Sequence, residues 1–183
     1  LERHKQRVAS VSLSPAGDLL VTADLEGITN LWRTRDWKWL GRLPTQSSQV
    51  LFSPDGKYLA RDYGSVPQLG LNLWDMAKNA WKFREPIHEY PDPVGALAFS
   101  PDSKLIISSG EKTTYVSRVA SGKLMHQFPY HSSSIAFSPD GKYLALAASE
   151  DRGKDQKYFI HLYSAPDGSA VFNTKKRVWK GKP

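Results

Sequence analysis

The chain has 183 residues and a formal net charge of +7, and it contains no cysteine. The missing thiols exclude disulfides, thiolate zinc sites and cysteine nucleophiles. No apolar run reaches the roughly 20 residues of a membrane-spanning helix, and no charged-then-apolar leader is visible. We therefore expect a cytoplasmic protein without a membrane partner, and the start at Leu1, without a methionine, predicts a larger parent.

One turn sequence recurs along the chain. Its serines are Ser14, Ser53, Ser100 and Ser138, at intervals of 39, 47 and 38 residues, and a period of this size is typical of repeat architectures. The fullest form is Ser-Pro-Asp-Gly. Proline presets the first corner of a type I turn, and glycine takes the left-handed position that closes a bulged hairpin. Each copy is therefore predicted to join two antiparallel strands.

Four short strands are predicted in each of four similar units. In chain order they are 8–13, 19–23, 28–32 and 39–43, then 50–52, 58–61, 71–74 and 80–83, then 95–99, 105–108, 114–117 and 123–128, then 134–137, 143–147, 158–163 and 169–173. Two loops, 62–70 and 149–157, interrupt the second and fourth units. Helical periodicity is absent, so the expected fold class is all-β.

The strand before each Ser-Pro turn has one bulky and one small face. In the first unit Val11 and Leu13 share one face, whereas Ser10 and Ser12 share the other. The later units place phenylalanine at the position of Leu13. Such a strand suits a sheet that is sandwiched between two neighbours, because the small side lets sheets converge. We therefore expect the sheets to stack radially.

These residues resemble the WD40 repeats of the β-propeller family, in a bacterial-type form with Ser-Pro-Asp-Gly turns. In that family a Gly-His pair precedes the first strand, and a Trp-Asp pair ends the third. His4 lies nine residues before Leu13, and Trp32 nineteen after it. The second unit keeps Trp74-Asp75, whereas the third and fourth units have Ser117 and Tyr163 at the tryptophan position.

The resemblance implies blades of four antiparallel strands. Their expected bounds are about 4–44, 45–88, 89–129 and 130–174, with a basic tail at 175–183. Known propellers have about four to eight blades. An open stack exposes an apolar face at each end, which soluble monomers avoid. We therefore favour part of a seven- or eight-bladed ring, or a half-propeller that pairs with a second copy, over a closed ring of four blades.

In the family, an acidic residue, a histidine, a hydroxyl and a tryptophan often form a hydrogen-bond network within a blade. Carried over to the first unit, the network would consist of His4, Thr22 or Asp24, Glu26 and Trp32. The other units lack a histidine at the matching position, so turn chemistry and apolar packing are expected to hold them. The structural set is completed by Trp74 and Asp75.

No catalytic, cofactor-binding or metal-binding residue is predicted. The five histidines never adopt a metal-ligand spacing such as His-x-x-x-His. His131 beside 132–134 suggests a base and a nucleophile, but no nucleophile elbow or oxyanion signal accompanies it, and a polar connector is favoured. Asp151 and Asp155 lie among Arg152 and lysines, which disfavours calcium.

Aromatic and basic residues near the fourth strands form a candidate surface for a protein or single-stranded nucleic acid. They are Trp37, Trp39, Trp81, Lys82 and Arg84. The alternative, which we favour, is edge-strand packing against a neighbouring blade.

A second candidate lies in the basic tail, at Lys175, Lys176 and Arg177. A solvated chain end is favoured there over a site for an acidic partner.

The resemblance implies a non-catalytic scaffold that recognises another protein within a larger assembly. An accessory propeller of an enzyme, such as a protease, a kinase or a nucleotide-switch protein, is the alternative, with its catalytic part outside these residues. Nucleic-acid binding through the basic aromatic surface is a third hypothesis, of lower weight. The expected partner is a protein, the remaining blades of the parent, or a second copy that completes the ring.

Overall fold

The computed structural model describes residues 3–46, 49–63, 69–81, 87–90, 94–151, 156–164 and 173–177. These residues form seventeen strands in four antiparallel sheets, which confirms the all-β prediction. The chain divides into two compact units, Leu1–Pro93 and Val94–Pro183, and each is described by itself.

The first unit contains two sheets, and consecutive strands pair within each. The first sheet consists of β1 (Val8–Leu13), β2 (Leu19–Asp24), β3 (Ile28–Arg33) and β4 (Lys38–Gln46). The second consists of β5 (Val50–Phe52), β6 (Tyr58–Tyr63), β7 (Leu69–Asp75) and β8 (Ala80–Trp81), and β9 (His88–Tyr90) also pairs with β7.

The second unit repeats this plan. Its first sheet, the third of the chain, consists of β10 (Ala96–Phe99), β11 (Leu105–Ser109), β12 (Thr114–Arg118) and β13 (Leu124–Phe128). The fourth sheet consists of β14 (His131–Phe137), β15 (Tyr143–Asp151), β16 (Gln156–Ser164) and β17 (Asn173–Arg177).

The recurring turn is closed by its own side chains. In the fourth copy, Ser138 Oγ donates to Asp140 Oδ1 at 2.6 Å and accepts the Tyr143 amide at 2.9 Å, while the Lys142 amide donates to Asp140 Oδ1 at 3.0 Å. Gly141 has a φ of 72°, the left-handed region that favours glycine. The hydrogen bond from Ser138, followed by that from the Lys142 amide, lowers the pKa of Asp140.

The first copy of the turn departs from this pattern, because Ala16 stands where the aspartate belongs. Ser14 Oγ donates instead to Asp18 Oδ1 at 2.7 Å and still accepts the Leu19 amide at 2.9 Å. A carboxylate two positions later therefore accepts the same hydrogen bond.

Each unit has an apolar core between its two sheets. In the first unit the core residues are Val21, Ala23, Leu43, Val50, Phe52, Leu59 and Trp74. In the second they are Leu105, Ile107, Val116, Phe128, Tyr130, Leu144, Leu146, Ala148 and Tyr163. The bulky face of β5 or β14 thus packs on the preceding sheet, as the alternation predicts. The bulky face of β1 is exposed.

Several strand bounds differ from the prediction. The second sheet has a fifth strand, β9, which extends past the expected blade boundary at 88, because β7 begins at Leu69 and offers backbone partners to His88–Tyr90. The excursion at 149–157 is largely paired: Glu150 lies opposite Lys157, and Asp151 opposite Gln156. Backbone pairing does not require apolar side chains, so the polar composition concealed these strand ends.

The last strand is also shifted from the prediction. It spans Asn173–Arg177 rather than 169–173, and the proposed turn at 165–168 lies outside the described residues. Lys176 pairs with Leu162, and Arg177 with His161. Residues 175–177, which were expected in the basic tail, therefore lie in β17, because β16 supplies main-chain partners for this strand.

Candidate functional site

A polar network joins the segment before β1 to the inside of the first sheet. His4 Nδ1 lies 2.8 Å from Asp24 Oδ2, and His4 Nε2 lies 2.7 Å from Thr22 Oγ1. Trp32 Nε1 donates to Thr22 Oγ1 at 2.9 Å. One tautomer satisfies all three contacts: Nδ1–H donates to the carboxylate, and the threonine hydroxyl donates to Nε2. The network therefore uses Thr22 and Asp24 together, not one in place of the other.

Asp24 also holds the turn between β2 and β3. Its Oδ1 accepts the amides of Glu26 at 3.0 Å and Ile28 at 2.9 Å, and its side chain is fully buried. Burial raises the pKa of this carboxyl, but the hydrogen bonds from His4 and from the Ile28 amide outweigh it, so the pKa is lowered. The Glu26 side chain accepts instead from Gln6 Nε2 at 3.1 Å on the surface.

Asn30 belongs to the same network and was missed from the sequence. Its Nδ2 lies 3.2 Å from His4 Nε2, and its Oδ1 accepts Trp39 Nε1 at 3.1 Å. The Arg3 guanidinium lies 4.6 Å from the centre of the Trp39 ring. The available signal was alternation, since Asn30 shares a strand face with Trp32. Trp39 is therefore tied into its own sheet.

The other residues assigned to the structural set lie apart from this network. Trp74 is buried in the core of the first unit. Asp75 Oδ1 accepts the amides of Ala77 and Lys78, both at 3.1 Å, and so closes the turn after β7.

Trp81, a candidate binding residue, pairs through its backbone with Trp74.

The candidate binding residues occupy different settings. Trp37 is 57% exposed, at the turn between β3 and β4. Lys82 and Arg84 lie outside the described residues. Lys175, Lys176 and Arg177 lie in β17. Among the candidates whose exposure is described, Trp37 is exposed and Trp39 is half-buried.

A second polar network, made of hydroxyls, was also missed. Thr114 Oγ1 lies 2.8 Å from Ser132 Oγ and 3.1 Å from Ser109 Oγ, and the Ser132 amide donates to Ser109 Oγ at 2.7 Å. It ties the β11–β12 hairpin to the start of β14. His131 Nδ1 lies 2.9 Å from the Gly110 carbonyl, so this nitrogen donates and is not a base for a serine.

The described residues contain no cluster of three or more histidine, cysteine or acidic side chains that would hold a metal ion. Over the same part of the chain, no helix has the length and hydropathy needed to span a membrane.

A family model, described as the WD domain or G-beta repeat, matches residues 1–33, 84–116 and 122–153. These segments make up more than half of the chain. The chain belongs to the WD40-repeat family. WD40 propellers are generally non-catalytic scaffolds that mediate protein–protein interactions.

Two individual proteins extend the comparison. The chain is 34% identical over 73 residues to the U3 small nucleolar RNA-associated protein 21 homolog of Schizosaccharomyces pombe, which is 39% of this chain and 8% of that protein. It also resembles the crystal structure of the Cps50 (Swd1) β-propeller domain from Myceliophteria thermophila, with a TM-score of 0.68, 16% identity, and coverage of 97% of this chain and 60% of that one. The second likeness concerns the fold alone. The first comes from a yeast and lends no support to a bacterial-type origin.

The two WD40 tryptophan positions that this chain has lost are structural. Ser117 is fully buried in β12, and Tyr163 is 5% exposed in the core of the second unit. The Tyr163 hydroxyl is hydrogen-bonded to that of Tyr130. Neither side chain is placed to meet a partner.

Proposed function

We propose that this WD40 segment is a non-catalytic protein-recognition scaffold whose partner binds the β3–β4 turn around Trp37. One observation carries the proposal: Trp37 has a φ of 54° and is 57% exposed. A left-handed conformation is unfavourable for a bulky residue, and a large exposed aromatic ring gains no burial. Two costs at one side chain favour a role in binding.

Hydrogen bonds on both sides of Trp37 hold the turn that presents it. Arg33 Nε donates to Asp36 Oδ1 at 2.9 Å, and Arg33 Nη2 to Asp36 Oδ2 at 2.6 Å. Thr34 donates through its hydroxyl to the Gly17 carbonyl at 2.5 Å and through its amide to the Asp18 carbonyl at 3.0 Å. A pre-organised tryptophan loses little entropy on binding, which is typical of interface hot spots.

The charge around Trp37 favours an acidic partner segment. Arg35, two residues before Trp37, and Lys38, directly after it, are both exposed. The Asp36 carboxylate in the same turn is engaged by Arg33, whose hydrogen bond lowers its pKa to about 2. The turn therefore carries an exposed apolar ring and two exposed cations within four residues, which suits an acidic peptide with an apolar side chain.

Peptide binding tests this proposal. Fluorescence anisotropy would compare a set of acidic peptides containing leucine or phenylalanine with a set in which lysine replaces the acidic residues. We expect acidic binders, and a loss of at least about tenfold in affinity for Trp37→Ala, the size of an ordinary hot spot. Leu40→Ala, at a 45% exposed apolar position in β4, is the control. Equal binding of both sets, or full affinity in Trp37→Ala, would contradict the proposal.

RNA association is a second candidate, favoured by the name of the yeast relative and by the net charge of +7. Its proposed contacts are Lys175, Lys176 and Arg177. Binding of a single-stranded RNA should weaken steeply as salt rises, and more gently after charge removal at these three positions. Absence of binding at low salt would exclude this candidate.

A further inference from the structure

Neighbouring sheets of the first unit meet at a seam with a defined register. Ser10 Oγ on β1 donates to the Val50 carbonyl at 3.2 Å and accepts the Val50 amide at 3.2 Å. Ser12 Oγ accepts the Phe52 amide at 3.0 Å. The serines on the small face of β1 therefore hydrogen-bond the backbone groups of β5 that do not face β6. The bulky side chains of β5 pack in the core of the first unit.

The turns add a second contact to the seam. A Cβ placed on Gly56 would lie 3.5 Å from Pro15 Cδ, and one on Gly141 would lie 3.7 Å from Pro101 Cδ. Each glycine thus lies beside the proline of the preceding turn. The two sides of the seam differ: in both units the bulky strand face and the glycine belong to the later sheet, and the small face and the proline belong to the earlier one.

The first sheet presents the later half of a seam without a partner. Val11 and Leu13, which correspond in the repeat to Val50 and Phe52, are 63% and 57% exposed. Gly17, the counterpart of Gly56, has nothing within 4 Å of its Cβ position. Exposed neighbouring apolar side chains of this kind mark an interaction surface.

The fourth sheet presents the earlier half. Ser134 and Ala136, which correspond to Ser10 and Ser12, are exposed on β14. On the same face of the sheet, Tyr158 and Ile160 are 46% and 43% exposed. Ser134 has a hydroxyl at the position of Ser10, whose hydroxyl bridges the Val50 backbone in the first unit. The third sheet has Ala96 at this position.

We propose that two copies of this chain associate head to tail, with the fourth sheet of one copy against the first sheet of the other. In this register Ser134 bridges the backbone of the partner copy's Val11, and Pro139 lies against its Gly17. Self-complementarity favours a second copy as the occupant, because one chain carries both halves of its own seam: Ser134 stands at the position of Ser10, and Ala136 keeps the small side chain, without the hydroxyl, at the position of Ser12.

The contact is heterologous, since two different surfaces meet, and it stands independently of peptide binding at Trp37. A charge placed in either face should prevent it, because the charge would be buried without a partner. Leu13→Lys and Ala136→Glu each alter one face at an exposed position. Leu25→Lys changes a 55% exposed leucine outside both faces and is the matched control.

Sedimentation of the whole chain over a concentration series tests the proposal. We expect association of the unaltered chain and of Leu25→Lys, and a weakening of at least about tenfold in each face variant. Mixing Leu13→Lys with Ala136→Glu should restore a one-to-one pair, since one intact face remains on each chain. A monomer at about 100 μM, or failure of the mixture to pair, would overturn the proposal. The first outcome would assign the faces to other sheets of a longer polypeptide or to a different protein.

Discussion

The first and third sheets fasten the ends of their strands with different chemistry. The first uses a histidine, a buried carboxylate and a tryptophan, and its contacts stay within one sheet and the segment that leads into it. The third uses the hydroxyls of Ser109, Thr114 and Ser132, with the His131 ring donating to the Gly110 carbonyl, and it also holds the first strand of the next sheet. In the third sheet, hydrogen bonds without a buried carboxylate therefore take the place that the charged network has in the first.

The difference matters because the first network holds a buried charge. The Asp24 carboxylate is fully buried and accepts three hydrogen bonds. Removing one partner from such a group costs more than losing one neutral hydrogen bond. Substitutions in the first sheet should therefore destabilise the chain more than matched substitutions in the third.

Removal of the Asp24 carboxylate should cause the largest loss. Asp24→Ala leaves His4 and the amides of Glu26 and Ile28 without their acceptor, so the free energy of unfolding should fall by about 3 kcal/mol. Urea unfolding followed by tryptophan fluorescence measures the change. Asp36→Ala, which removes an exposed carboxylate, should change it far less, because solvent screens an exposed ion pair. Equal effects in the two variants would refute the special role of the buried network.

The hydroxyl network should respond less strongly. Thr114→Val preserves shape but removes the hydroxyl shared by Ser109 and Ser132, so we expect a loss of about 1.5 kcal/mol. Thr114→Ser retains the hydroxyl and is the matched control, with a smaller loss from the missing methyl group. The same urea titration applies. A serine variant as unstable as the valine variant would mean that packing, not hydrogen bonding, is what this position supplies.

Much of the fold was accessible from the sequence because its hairpins are closed locally. Ser138, Asp140 and Gly141 form the turn almost by themselves, so their spacing alone indicated the repeat. The charged network was accessible for a similar reason, since histidine and tryptophan are rare enough to stand out at fixed offsets. The WD40 family and the all-β fold are both confirmed.

What escaped prediction depends on tertiary partners. β9 forms because β7 is long enough to pair with it, and the sequence of His88–Tyr90 has no pattern that predicts a strand. Asn30, Ser109 and Thr114 carry no distinctive pattern, because polar residues of these types are also common at surfaces. Their roles follow only from which groups the folded sheets bring within hydrogen-bonding distance.

Acid pH should separate the two networks. The pKa of Asp24 is lower in the folded chain than its ordinary value of 3.8. Its stabilisation is therefore complete above pH 3.8 and is lost as the pH falls through the folded pKa. The stability difference between the unaltered chain and Asp24→Asn should shrink below pH 3.8, whereas the difference for Thr114→Val should stay constant. Urea midpoints at several pH values test this, and a constant Asp24→Asn difference would contradict it.

The smallest expected effect concerns the turns of the same two sheets. Gly17 has a φ of 72°, and its third-sheet counterpart, Ser103, has a φ of 59°. Gly17→Ser should cost about 1 kcal/mol, since a Cβ there meets nothing within 4 Å and the cost is conformational alone.

Ser103→Gly should not return that amount. Glycine removes the left-handed strain at this position, which stabilises the folded chain. The substitution also removes the contacts of the buried serine side chain and raises the entropy of the unfolded chain, and both of these changes destabilise it. We therefore expect a net change within about 0.5 kcal/mol, measured by thermal unfolding at low protein concentration. A stability gain in Ser103→Gly equal to the loss in Gly17→Ser would contradict this expectation. It would mean that the left-handed strain at Ser103 outweighs both the contacts of its side chain and the entropy of the unfolded chain.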